Sequence, residues 1–137
     1  MEINRSFLAE GVTVAYGSDW FVTSPNPMDL IEAAVTRIRP ALPLDDKRTA
    51  SAMLPGEEVT IGDAIASYTI NGAFANFQEA DTGSLEVGKL ADIVVLDKNL
   101  FDVEPVRISE TRVLLTLLGG KPVHGSMALD AGNSGDP

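Results

Sequence analysis

The chain has 137 residues, of which 45% are hydrophobic, and carries 20 acidic residues against 10 basic ones. Such a chain is long enough and apolar enough to bury one core, which excludes wholesale disorder. Its net charge of −10 repels phosphate, so neither nucleic acid nor an anionic membrane surface is expected as a partner.

There is no cysteine, which removes disulfides, thiolate nucleophiles, zinc–thiolate sites and iron–sulfur clusters together. His124 is the only histidine, so a histidine-rich metal site cannot be assembled from this sequence by itself. Met1-Glu-Ile-Asn-Arg5 lacks a basic stretch followed by an apolar core, so no signal peptide is expected. No apolar run approaches the roughly 20 residues of a membrane helix. A cytoplasmic protein is the expectation.

Arg5 to Glu10 reads as the end of a helix closed by Gly11. Val12 to Ala15 then reads as a fully buried strand, and Gly17-Ser18 delivers Asp19 at its C-terminal end. α/β folds place catalytic groups at that position, although a turn-forming Asp is the plain alternative. After a loop, Asn26 is set to cap a helix, Pro27 suits its first turn, and Asp29 complements its N-terminal dipole. Leu30, Ile31, Ala34, Val35 and Ile38 form one apolar face, and Pro40 stops the helix. Residues 39–59 read as a long loop, a kind of segment that is usually functional or mobile.

Thr60-Ile-Gly-Asp63 reads as a capping box for a helix whose apolar face is Ile61, Ala64, Ile65 and Tyr68. Asn71-Gly72 ends or kinks this helix, and Ala73 to Phe77 is expected to form a second short one, with Phe74 and Phe77 as core anchors. From Asp81 to Asp92 the helical period disappears and glycines punctuate the chain. Ile93 to Leu96 and Arg112 to Leu118 read as strands, Gly119-Gly120 as a hairpin turn, and Lys121 to His124 as an edge strand, the place where Pro122 is tolerated. His124 is expected to be a surface or structural residue. Two or three strands do not make an independent sheet, so more strands or another surface are needed.

Gly17-Ser-Asp-Trp20 and Gly83-Ser-Leu-Glu-Val-Gly-Lys-Leu-Ala-Asp92 before an apolar strand resemble the C-terminal end of the amidohydrolase superfamily, and within it the family 3 branch of metal-dependent hydrolases. Tyr68-Thr-Ile-Asn71, Phe74, Phe77, Arg112-Val-Leu-Leu-Thr116 and Gly119-Gly-Lys121 extend the resemblance over roughly residues 5–125. It implies an α/β fragment: the last βα unit or units of a (β/α)8 barrel plus the C-terminal strands of a small composite β-sandwich. Residues 1–80 would then end the barrel, with Val12 to Ala15 as its eighth strand. Residues 81–125 would belong to the sandwich, and 126–137 would be a flexible tail.

By the same resemblance Asp19 is a metal ligand and the group that takes the proton from the attacking water. A carboxylate suits both tasks, since bound cations lower the pKa of water to about 7. Trp20 reads either as a substrate contact lining a pocket or as a packing residue. The resemblance implies a divalent metal, zinc, in the full-length parent and none bound to this chain alone. Its substrate would be a small-molecule amide or N-acyl compound. The family's His-X-His pair, its carboxylated lysine and its later histidines have no counterpart here, and Phe21 stands where many relatives carry proline. The expectation is therefore the C-terminal piece of a hydrolase acting on non-peptide carbon–nitrogen bonds, inactive alone. The rival expectation is a non-catalytic module that self-associates as a homo-oligomer through exposed apolar faces. Translating the genomic sequence upstream of Met1 discriminates the two.

Overall fold

The computed structural model describes residues 4–39 and 52–126. The middle of the long loop and the tail beyond Ser126 lie outside the described residues. Among the described residues four helices come first, α1 (Asn4–Ala9), α2 (Pro27–Thr36), α3 (Ile61–Tyr68) and α4 (Ile70–Ala75), followed by strands β1 (Ile93–Leu96), β2 (Val113–Leu118) and β3 (Lys121–His124). Two 3₁₀ turns, Leu100–Asp102 and Pro105–Glu110, lie between β1 and β2. No helix among the described residues is long and apolar enough to cross a membrane.

Local chemistry sets the helix ends. The Val12 amide donates to the Phe7 carbonyl and the Gly11 amide to Leu8, with Gly11 at φ +77, which is a Schellman closure of α1. Asn26 caps α2 by accepting from the Met28 amide at 3.1 Å, and Pro27 occupies the first turn. This helix ends at Thr36, before Pro40, because Arg37 turns into the left-handed region at φ +58. The Arg37 side chain is buried, and its Nε donates to the Met53 carbonyl at 3.1 Å, tying the far end of the long loop to α2. Thr60 caps α3 by accepting from the Asp63 amide at 3.1 Å.

The core gathers Met28, Ile31 and Ala34 of α2, Ala64 of α3, Val59, Leu100 and Ile108. Glu32, also buried, accepts from the Ser109 amide at 2.8 Å and joins α2 to the second 3₁₀ turn. The sheet is antiparallel in the order β1-β2-β3, with Val94 opposite Thr116 and Thr116 opposite His124. Asp92 binds its entrance to its turn, accepting from the Gly119 amide at 2.7 Å and from the Thr82 hydroxyl at 3.2 Å.

Three expectations need correction. Val12 to Ala15 forms no strand: a parallel strand needs hydrogen-bonding neighbours on its edges, and among the described residues it has helices beside it instead. The break in the 61–77 helical stretch falls at Thr69 (φ −123, ψ −96), two positions before Asn71-Gly72, so Asn71 opens the second helix rather than closing the first. Phe74 and Phe77 are not core anchors, being 53% and 92% exposed. They sit on or just beyond a helix of six residues, and the described residues offer no surface that reaches over them.

Candidate functional site

Segment 12–16 runs from α1 to the turn that carries Asp19. Two hydrogen bonds hold it to the α3–α4 junction: Asn71 Nδ2 donates to the Val14 carbonyl at 3.0 Å, and the Tyr16 amide donates to the Ser67 carbonyl at 2.9 Å. Behind it the Tyr16 and Tyr68 rings meet edge to face, with centroids 5.5 Å apart. Burial pushes the Tyr68 phenol up to about 12. Burial also raises Tyr16, with Asp63 adding to the effect and the Arg37 charge opposing it. Both phenols are therefore neutral at ordinary pH and act as packing rather than as proton carriers. The hydroxyls of Tyr16 and Ser67 are buried with no hydrogen-bond partner among the described residues.

Past Gly17 the chain turns sharply. Asp19 adopts φ +48, a left-handed conformation that Asp tolerates better than most residues, and its carbonyl accepts from the Val22 amide at 2.7 Å. The Thr23 hydroxyl donates to the Ser18 carbonyl across the same turn. Asp19 is thereby presented to solvent on a short loop rooted in a tethered segment. Trp20 follows with 69% of its surface exposed, next to the exposed Phe21 and Val22. Three consecutive large apolar residues on a loop tip need a covering surface that the described residues do not supply.

The predicted site residues thus lie side by side on one turn. His124 belongs elsewhere, exposed on β3 with a ring nitrogen 3.3 Å from the Val113 carbonyl. A cleft of about 480 Å³ lies between α1 and the start of α3, lined by Arg5, Leu8, Ala9, Glu58, Val59, Thr60 and Asp63; neither Asp19 nor Trp20 lines it. The grip of Ser67 and Asn71 on the Asp19 segment could not be foreseen from spacing, since it joins residues 51 and 57 positions apart.

Residues 5–124 match the amidohydrolase family. The chain belongs to that family. Within that family it is 38% identical to Protein LONG AFTER FAR-RED 3 of Arabidopsis thaliana over 120 residues, 88% of this chain and 19% of that protein. It is 33% identical to an N-substituted formamide deformylase of Arthrobacter pascens over 116 residues, 85% of this chain and 20% of the other. It is also 33% identical to a 5-methylthioadenosine/S-adenosylhomocysteine deaminase of Teredinibacter turnerae over 112 residues, 80% of this chain and 23% of that enzyme. The chain therefore spans about a fifth of the length of these curated relatives. No solved structure matches it.

Amidohydrolases are metal-dependent, so the donors here can be tested against that requirement. Among the described residues no three His, Cys, Asp or Glu side chains come together in a way that could hold an ion. Among the described residues Asp19 stands on its turn without a second donor, and one carboxylate is no cage for a divalent cation. The described residues by themselves do not fit a metal centre.

Proposed function

We propose that this chain is the C-terminal segment of an amidohydrolase that cleaves a non-peptide carbon–nitrogen bond in a small amide or N-acyl substrate, with Asp19 as its proton-handling carboxylate. The observation that carries this reading is the presentation of Asp19, solvent-facing on a turn whose root is tethered to α3 and α4. Family membership over residues 5–124 supports it. In this reading segment 12–16 is the counterpart of the last strand of a (β/α)8 barrel, with the edge that Asn71 and Ser67 leave open available to a neighbouring strand. The sheet becomes part of a composite β-sandwich.

Within that site Asp19 accepts a proton from the water that adds to the acyl carbon and returns it to the departing nitrogen as the carbon–nitrogen bond breaks. Trp20 contributes an apolar wall beside the substrate. The divalent cation of the family, zinc in this reading, depends on donors outside the described residues.

Two measurements test the proposal. The purified 137-residue chain, given zinc and a panel of N-acyl amino acids, should show no turnover; clear turnover sinks the claim that it is incomplete. In a longer protein that contains this segment and is active, Asp19→Asn should lower kcat by roughly 10²–10⁴-fold, the usual worth of a positioned acid–base group. Asn also tolerates the positive φ, so full activity in that variant would remove Asp19 from the mechanism.

A second reading rests on the sheet. Val94, Leu114 and Leu118 are all half or more exposed, and β2 is apolar on both faces. Self-association through these faces is the corresponding proposal. A single monomeric boundary in sedimentation velocity across working concentrations would end it.

A further inference from the structure

We propose that Asn71 is the positioning residue for Asp19, acting through the backbone of segment 12–16. Its meaning for catalysis rests on the reading of Asp19 given above. The helical stretch breaks at Thr69. In an uninterrupted α-helix the Ser67 carbonyl accepts from the amide of residue 71; here it accepts from the Tyr16 amide at 2.9 Å. The same break starts a new helix at Ile70 and sets Asn71 in its first turn, where the side chain donates to the Val14 carbonyl at 3.0 Å.

Val14 and Tyr16 alternate along the segment, so the junction grips it at two points on one edge. Beside this contact the Tyr16 phenol and the Ser67 hydroxyl are buried with no hydrogen-bond partner among the described residues. From Tyr16 only Gly17 and Ser18 intervene before Asp19, and three residues of chain reach at most about 11 Å. Fixing Tyr16 therefore keeps the backbone of Asp19 within that reach of the junction. Asn is suited to this task because its amide supplies donors at the end of a short, stiff side chain. Aspartate at the same position keeps the shape and, when ionised, offers only acceptors to a carbonyl.

The test is amide hydrogen exchange read by NMR on the ¹⁵N-labelled full chain. Asn71→Ala and Asn71→Asp should both speed exchange at the Tyr16 amide by about fivefold relative to Ala64 in α3, the loss expected for one net hydrogen bond. The indole resonance of Trp20, the only tryptophan, should shift in both variants. Asn76→Ala is the control: Asn76 caps the C-terminus of α4, and its Nδ2 donates to the Gly72 carbonyl at 2.8 Å rather than to segment 12–16. Unchanged exchange at Tyr16 overturns the proposal. An equal rise at Ala64, which would report general unfolding, overturns it too, as does the same local rise in Asn76→Ala. These readouts do not depend on turnover, so they can fail while Asp19 remains catalytic, or hold while it does not.

Discussion

Gly83 is pressed against α4: a Cβ built on it would stand 2.7 Å from the Cβ of Ala73 and 2.9 Å from the Cα of Ile70. Its φ of +87 is also one that side chains rarely adopt. The first glycine of Gly83-Ser-Leu-Glu-Val-Gly88 thus lets the loop into the sheet pack on the junction that holds the Asp19 segment. Gly83→Ala should cost about 3 kcal/mol, combining overpacking against backbone with a strained φ. Gly88, at φ +99 with open space around it, isolates the second effect, and Gly88→Ala should cost about 1 kcal/mol. Urea midpoints of the two variants measure the difference; equal losses would contradict the close packing.

The same pair illustrates what the sequence makes legible. Gly83 could be recognised as part of a family pattern, but its reason is steric and lies in α4, which no local spacing reveals. Elements governed by their own residues were readable: Asn26 and Thr60 cap the helices they precede, and Pro122 sits on the edge strand. The role of Arg37 is not legible in local spacing, because its burial and its bond to the Met53 carbonyl join residues 16 positions apart. Val12 to Ala15 is apolar enough for a strand, yet strand formation belongs to the pair and not to the segment. Phe74 and Phe77 fail for a related reason, since burial requires a surface to be buried against. At the candidate site, the sequence supplied Asp19 and Trp20, whereas Ser67 and Asn71 required the folded chain.

Glu32 is a buried carboxylate whose ligand is a backbone amide, that of Ser109 at 2.8 Å. Removing it strands that donor at the contact between α2 and the Pro105–Glu110 turn. Glu32→Ala should therefore lower stability by about 2 kcal/mol, the range for hydrogen bonds to charged groups. Glu32→Gln keeps an acceptor oxygen and should lose less. Chemical denaturation of both variants decides the matter; identical losses would mean that packing, not the bond, is what Glu32 contributes.

Tyr68 makes stability sensitive to alkali. Its phenol, ordinarily at 10.0, is raised to about 12 in the folded chain by burial, with the neighbouring Tyr16 adding to it. The neutral form is thus favoured by folding, so this contribution is fully present below pH 10 and is lost as pH rises through 12. Tyr68→Phe keeps the ring against Tyr16 and has nothing to ionise. Between pH 10 and 12 its urea midpoint should fall less steeply than that of the unmodified chain. Parallel slopes would show that Tyr68 ionises as freely in the fold as outside it.

Acid acts on a different pair. Asp97 accepts from the Arg112 amide and from its Nε, each at 2.9 Å, across the β1–β2 connection. These bonds hold its carboxyl below the ordinary 3.8, the amide contributing most and the guanidinium hydrogen bond next. A depressed carboxylate favours folding while it is ionised, so the contribution is present above pH 3.8 and is lost as pH falls through the lower folded value. Asp97→Asn keeps an oxygen for the Arg112 amide but gives up both the charge and the proton linkage. The variant should be less stable than the unmodified chain at pH 7, and the gap should narrow as pH drops below 3.8. Thermal unfolding followed at pH 7, 4 and 3 reads this directly; a gap that stays constant through that range would mean that the Arg112 contact does not hold in solution.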